Sequence, residues 1–159
     1  MVLWIASQYP ELVRALIIED IGAIINNDLS FALDWPKRFP SVRSLRNFLK
    51  ANGFEDDTYF LESLVEYSDG WEFRFHYKDI AHSQELLNGD HWNDWLSSNC
   101  PTLLLHGHKS WVMTKEHARE MTLRRPNTKL IEFPECGHTI RDDDPEGLYH
   151  AVKAFLKEI

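Results

Sequence analysis

The apolar residues of this chain follow two patterns, one at both ends and another in the middle. Short apolar runs bounded by turn residues are typical of strands buried on both faces of a parallel sheet. They cover residues 13–19, 101–106 and 128–133. Segments whose apolar residues recur at helical spacing predict helices. Near the two ends they cover residues 1–9, 114–123 and 145–157. Strands that alternate with helices predict an α/β fold with a parallel sheet and right-handed crossovers.

The middle of the chain, residues 24–99, interleaves charged and aromatic residues and keeps helical spacing. The helices predicted there cover residues 41–51, 56–67, 79–87 and 91–96. We therefore predict a core formed by residues 1–23 and 100–159, with a helical insertion at 24–99 that follows the first strand.

Composition and charge exclude several classes of protein. The chain has 159 residues and is 43% hydrophobic and 26% charged, which is typical of a folded globular domain. A net charge of −8 gives no reason to expect nucleic acid or a membrane as partner. The apolar N-terminal run is too short to predict a signal peptide or a membrane span. Two cysteines, Cys100 and Cys136, do not make a disulfide scaffold, so we expect reduced thiols and a cytoplasmic protein.

The segment Pro134-Glu135-Cys136-Gly137-His138-Thr139 carries the clearest sign of chemistry. It follows the third apolar run, so His138 lies at the carboxyl end of a predicted parallel strand, where α/β proteins bind their ligands. The unperturbed pKa of histidine suits a general base. However, the sequence contains no G-x-S-x-G elbow. His138 therefore has no visible nucleophile to activate.

Three stretches of the chain resemble the C-terminal portion of the α/β-hydrolase superfamily. "ASQYPELVRALIIEDIGA" is similar to the helix after the nucleophile elbow and the sixth strand, and "CPTLLLHGHKSWV" to the seventh strand and its turn. "RRPNTKLIEFPECGHTIRDDDPEGLYHAVKAFL" is similar to the eighth strand, the catalytic-histidine loop and the last helix. The resemblance implies an incomplete α/β-hydrolase fold. In it, residues 24–99 form the cap, and the nucleophile and oxyanion hole lie upstream of residue 1.

The resemblance also implies that His138 is the base of a catalytic triad and leaves its acid to be identified. The family often has an aspartate in the turn after the seventh strand, where this chain has Ser110, which carries no charge. Some members place the acid at the end of the sixth strand, where this chain has Glu19 and Asp20. Only one of these two faces the site, because side chains alternate along a strand. We predict Asp20, just past the strand end, with Glu19 as the alternative. Trp111, which follows the turn, is the predicted substrate-binding residue.

No metal is predicted, because His106 and His108 have no evident third ligand. No cofactor is predicted either. The expected partner is a small-molecule substrate of the intact protein. A second expectation concerns the strand over residues 13–19. Its edge lacks the neighbour that the family's sheet would supply, so the chain is expected to self-associate there.

These observations favour a serine hydrolase that acts on an ester-, lactone- or thioester-like carbonyl. The 159 residues would be a truncated part of it, inactive alone because nucleophile and oxyanion hole are missing. The chain is therefore a hydrolase only by resemblance, truncated before the nucleophile. Two alternatives also stay open: an aspartate-nucleophile relative that opens epoxides or removes halogens, and a non-catalytic association module.

Overall fold

The computed structural model describes residues 2–54 and 57–159, and the chain divides into two compact units. We name them the core unit, Met1–Asn27 with Leu87–Ile159, and the inserted unit, Asp28–Leu86. The helices predicted over residues 1–9 and 56–67 begin at Met1 and Asp56, which lie outside the described residues.

Helices and short strands alternate along the described residues. The α-helices are α1 (Val2–Gln8), α2 (Val42–Ala51), α3 (Thr58–Glu62), α4 (Tyr77–Leu87), α5 (Trp92–Leu96), α6 (Lys115–Arg124), α7 (Ile140–Asp143) and α8 (Pro145–Glu158). The strands are β1 (Leu16–Glu19), β2 (Ile24–Ile25), β3 (Leu64–Tyr67), β4 (Gly70–Phe73), β5 (Gly89–Asp90), β6 (Thr102–Gly107) and β7 (Thr128–Phe133). Short 3₁₀ helices cover Pro10–Leu12 and Ser30–Asp34. In the part of the chain described, no helix combines the length and the apolar character needed to cross a bilayer.

Three parallel strands in the order β1-β6-β7 form the main sheet of the core unit, which also holds the short antiparallel pair of β2 and β5. The central strand β6 is buried at every position, because strands flank it on both sides and helices cover both faces. On one face Leu104 packs with residues of α1, α5 and α6, and on the other Leu103 and Leu105 pack with residues of α7 and α8. The predicted α/β fold with a parallel sheet and flanking helices is confirmed.

The first strand differs from its prediction. β1 is shorter than residues 13–19, because its pairing with β6 begins only where Leu16 meets Thr102. It is an edge strand, and Ile17 is 42% exposed while Ile18 is buried. The cluster under α8 includes Leu103 and Leu105 of β6 but not Ile17. The prediction that this strand is buried on both faces was therefore wrong.

Side-chain caps determine where three of the helices begin. Ser41, Thr114 and Asp144 each accept a hydrogen bond from a backbone N–H in the first turn of α2, α6 and α8, respectively. Such caps are local signals that act without help from the rest of the fold. The helices predicted over these segments are confirmed to within one residue at each end.

A hairpin of β3 and β4 replaces the second half of the helix predicted over residues 56–67. Helix α3 ends at Glu62, and an antiparallel ladder runs from the pair Leu64 and Phe73 to the pair Tyr67 and Gly70. Gly70 has φ 142°, a backbone conformation that glycine adopts without a steric penalty. The helix prediction was therefore wrong beyond Glu62: Ser68 and Asp69 form the hairpin turn, and Gly70 begins β4.

The inserted unit has a core of its own that is largely aromatic. Trp35 packs against rings on several of its elements, which belong to Phe48, Phe54, Phe60, Phe73 and Tyr77. Burial, together with the charge of Glu72, raises the pKa of Tyr77 to about 12. The Tyr77 hydroxyl donates to the Pro36 carbonyl at 2.7 Å, so this phenol is both neutral and satisfied.

Candidate active site

The carboxyl ends of β1, β6 and β7 meet at one edge of the core sheet, as in every parallel sheet. Asp20 follows β1 directly, and its N–H donates to the Leu105 carbonyl of β6 at 2.8 Å. Its side chain is completely buried. Among the described residues it alone, apart from glycines, has a positive φ, of 49°. A backbone in this sparsely populated region is typical of functional sites, where the surroundings hold it in place.

The structure places the Asp20 carboxylate against the His138 ring. Asp20 Oδ2 lies 3.0 Å from His138 Nδ1, and the His138 side chain keeps 35% of its surface exposed. Glu19 faces elsewhere: its Oε1 accepts from the Arg141 backbone N–H at 3.0 Å, and its carboxylate pairs with the Arg141 guanidinium. Of the two candidate acids, only Asp20 contacts the predicted base. The catalytic roles of Asp20 and His138 stay predictions.

Gly107 allows the loop that carries His138 to approach the end of β6. A Cβ at this position would overlap the carbonyl oxygens of Cys136 and Gly137, which are backbone atoms with little room to move. The loop is also tied down by the Lys109 N–H, which donates to the Cys136 carbonyl at 2.9 Å. On its other side, Asp143 Oδ2 accepts from the Gly137 N–H at 2.6 Å. These contacts hold the His138 loop close to Asp20 at the carboxyl end of β6.

Asp20 has three further donors that the sequence did not reveal. His106 Nδ1 lies 2.9 Å and the Gly107 N–H 3.2 Å from Oδ1, and the Ser110 hydroxyl donates to Oδ2. The Ser110 oxygen in turn accepts from the Val112 N–H at 3.0 Å. Ser110 thus contacts the acid, although it cannot replace it. The sequence signal that could have identified His106 is its position. The strand predicted over residues 101–106 ends there, at the sheet edge where Asp20 lies.

The other histidine of the His106-x-His108 pair faces a separate cluster. His108 Nε2 lies 3.5 Å from Glu132 Oε1, and Arg119 and Lys115 lie near the same carboxylate. Burial acts to raise the pKa of Glu132. The hydrogen bond from Arg119 and these positive charges outweigh burial and hold that pKa below its ordinary value. His106 and His108 therefore contact different carboxylates, Asp20 and Glu132 respectively.

Cys136 lies near His138 in sequence but its thiol is poorly suited to act as a nucleophile. Burial, reinforced by the charges of Asp143 and Asp144, raises its pKa, and a thiol is reactive only as the thiolate. Both cysteines of the chain are free thiols.

His117 anchors the turn that follows Asp20. Its Nε2 accepts from the Ala23 N–H at 3.0 Å, which requires a neutral ring. Burial lowers the pKa of His117, against the opposing effect of Glu120, and so favours that neutral form. This half-buried contact between α6 and the turn helps to hold the end of β1 in position.

Trp111, the predicted substrate-binding residue, lies beside His138 on the loop after β6. The two ring centroids are 6.1 Å apart, and Trp111 is 73% exposed. The structure thus brings it to the predicted base with most of its surface free.

No protein-family model matches the chain. It is similar to a curated protein, the sn-1-specific diacylglycerol lipase ABHD11 of Mus musculus, with 24% identity over 169 aligned positions. The alignment covers 96% of this chain and 54% of the lipase. The chain thus spans about half the length of this relative.

Two solved structures have the same fold. E-2-(acetamidomethylene)succinate hydrolase superposes with a TM-score of 0.78 and 17% identity, over 98% of this chain and 62% of its own. An α/β-hydrolase from Novosphingobium aromaticivorans superposes with a TM-score of 0.71 and 20% identity, over 99% of this chain and 61% of its own. Nearly all of this chain therefore matches a little over half of each protein, and the 159 residues form a partial α/β-hydrolase fold.

Proposed function

We propose that the chain provides the acid and the base of a hydrolase site. The nucleophile, a serine, comes from outside these 159 residues, and the substrate is an ester-, lactone- or thioester-like carbonyl compound. The observation that carries this proposal is the contact of Asp20 Oδ2 with His138 Nδ1 at 3.0 Å. A carboxylate on Nδ1 keeps the proton there and leaves Nε2 bare, which is the tautomer that a general base needs.

The chemistry follows from this tautomer. His138 Nε2 takes the proton of the attacking hydroxyl and later returns it to the leaving group. Asp20 stabilises the imidazolium that forms between these two steps. The complete burial of Asp20 supports this role, because water does not screen the attraction between the carboxylate and the ring.

We propose further roles for Trp111 and for the inserted unit. An exposed indole beside the base offers an apolar surface to the substrate, and such aromatic residues commonly line binding sites. The inserted unit, Asp28–Leu86, would serve as the cap, because it is a compact unit with its own aromatic core and lies between β1 and β6 in the sequence.

The test of the proposal is the coding sequence immediately upstream of residue 1. We expect an in-frame G-x-S-x-G motif there, at the end of a predicted strand, since a serine elbow would complete the site. An in-frame G-x-D-x-G would contradict the serine mechanism and assign the chain to relatives that attack with aspartate, for which the same pair would activate water. The absence of both motifs from the upstream sequence would contradict the hydrolase proposal.

We also propose that two copies of this chain associate through the edge of β1. In the described part of the chain, no strand pairs with the outer side of β1. Its exposed Ile17 lies in a shallow groove with the apolar side chains of Leu12, Leu156 and Ile159. An open apolar edge of this kind is a template for pairing with another chain.

Self-association through this edge predicts a mass that rises with concentration. Light scattering on the purified chain is expected to show dimers or larger species, and Ile17→Lys to reduce them, because the charge would be buried in the interface. Leu123→Lys is the matched control, since Leu123 is 83% exposed on α6, away from this edge. A stable, cooperatively folded monomer at all concentrations would argue against the proposal.

A further inference from the structure

We infer that His106 is a positioning residue for the acid: neutral, with its proton on Nδ1, it holds Asp20 Oδ1 so that Oδ2 faces His138. The inference rests on the proposed function, in which Asp20 orients the base. Its evidence lies in the contacts of the carboxylate and in the surroundings of the His106 ring.

The two oxygens of Asp20 divide their partners between two strands and two histidines. Oδ1 accepts from His106 at 2.9 Å and from the Gly107 N–H at 3.2 Å, both at the end of β6. Oδ2 contacts the Ser110 hydroxyl and the His138 ring. Two partners on each oxygen use the hydrogen-bonding capacity of an ionised carboxylate.

Burial indicates which form of His106 is present. The side chain is 2% exposed, and within the described residues its Nε2 is one of two buried side-chain atoms without a hydrogen-bond partner. If the ring were charged, Nε2 would carry a proton with no acceptor, in a site where an unpaired charged donor is costly. The neutral ring with its proton on Nδ1 leaves only a bare acceptor there, which costs less. His106 is therefore a neutral donor to Asp20.

The same burial excludes a direct catalytic role for His106. Its Nε2 cannot reach a substrate, whereas His138 keeps 35% of its side-chain surface open. The ring is also committed to Asp20 through Nδ1. Whatever His106 contributes must therefore pass through the carboxylate.

The place of the acid explains why it needs such a partner. Asp20 reaches the site from the end of β1 with a left-handed backbone, φ 49°. Rotation about its side-chain bonds would move Oδ2 away from His138. A ring donor and a backbone donor from β6, both on Oδ1, oppose that rotation. His106 and Ser110 thus fix the two oxygens separately.

The test is NMR of the 159-residue chain with ¹⁵N-labelled histidine. In the unmodified protein we expect the nitrogen shifts of His106 to show a protonated Nδ1 and a bare Nε2. In His106→Leu, the exchange of the His138 Nδ1 proton with water is expected to accelerate by about tenfold or more, because the carboxylate loses one of its charge-assisted hydrogen bonds. His106→Asn should restore slow exchange, since its amide can place an N–H near the position of Nδ1.

Leu104→Ala is the matched control, because Leu104 is fully buried on the same strand and packs in the hydrophobic cluster with α1, α5 and α6. It should lower stability without changing His138 exchange beyond what global unfolding explains. A folded His106→Leu variant with unchanged exchange would overturn the inference. So would a charged His106 or an Nε2–H tautomer in the unmodified chain, a measurement that needs no variant to fold. Since neither readout depends on turnover, failure of the hydrolase proposal would show separately, in the upstream sequence.

Discussion

The 159 residues alone are expected to hydrolyse p-nitrophenyl acetate no faster than buffer. The sequence holds no G-x-S-x-G elbow, so the nucleophile and the oxyanion-hole donor that this motif supplies are expected to be missing beside the predicted base. Removing the nucleophile of a serine hydrolase costs about a million-fold in turnover. His138 can still reach water through its exposed edge, but a lone imidazole is a weak catalyst beside a complete triad.

The matched variant for this experiment is His138→Ala, measured on the same preparation. Equal, background rates for both proteins agree with the expectation. Turnover by the unmodified chain that disappears in His138→Ala would contradict it, because the site would then be complete within these residues. Labelling with a fluorophosphonate probe gives a second readout, and we expect no labelled serine in the purified chain.

Asp20→Asn is expected to reduce turnover by about a thousand-fold or more in a protein that joins these residues to the segment with the nucleophile. The amide can place an N–H toward His138 Nδ1, which favours the wrong tautomer and removes the charge that stabilises the imidazolium. A thousand-fold loss corresponds to about 4 kcal/mol of transition-state stabilisation. The measurement is kcat, since substrate binding does not involve this buried carboxylate.

Glu19→Gln is the control for Asp20→Asn, because Glu19 is the adjacent carboxylate and pairs with Arg141 instead of the ring. We expect it to change kcat by no more than a few-fold, as exposed ion pairs contribute little. Ser110→Ala should fall between the two, since it removes one donor to Asp20 but leaves the charge. A larger loss in Glu19→Gln than in Asp20→Asn would show that the acid is misassigned.

The sequence by itself was sufficient for the elements that local signals define. The strand over residues 128–133 and the helices that begin after Ser41 and Thr114 needed only a short apolar run or a capping side chain. The same applies to the position of His138, because a glycine-containing turn after a parallel strand leads to the ligand-binding edge. Those properties depend on a few neighbouring residues.

The hairpin of β3 and β4 shows where local signals stop being sufficient. Its apolar residues fit a helix and a strand equally well over so short a segment. The choice between them depends on packing against the aromatic core of the inserted unit. Likewise, the exposure of the Ile17 side chain depends on which strands and helices surround β1. A run of apolar residues in the sequence does not predict those neighbours.

The identity and the support of the acid were decided by tertiary structure. The sequence narrowed the acid to Glu19 and Asp20, but alternation along a strand does not say which of the two faces a loop more than a hundred residues away. The left-handed backbone at Asp20 directs its carboxylate to His138, and Glu19 is hydrogen-bonded to Arg141 instead. His106 depends on the fold even more. The sequence around His106 predicts only the end of a buried strand. His106 contacts Asp20 because the register of β1 against β6 places the two residues side by side.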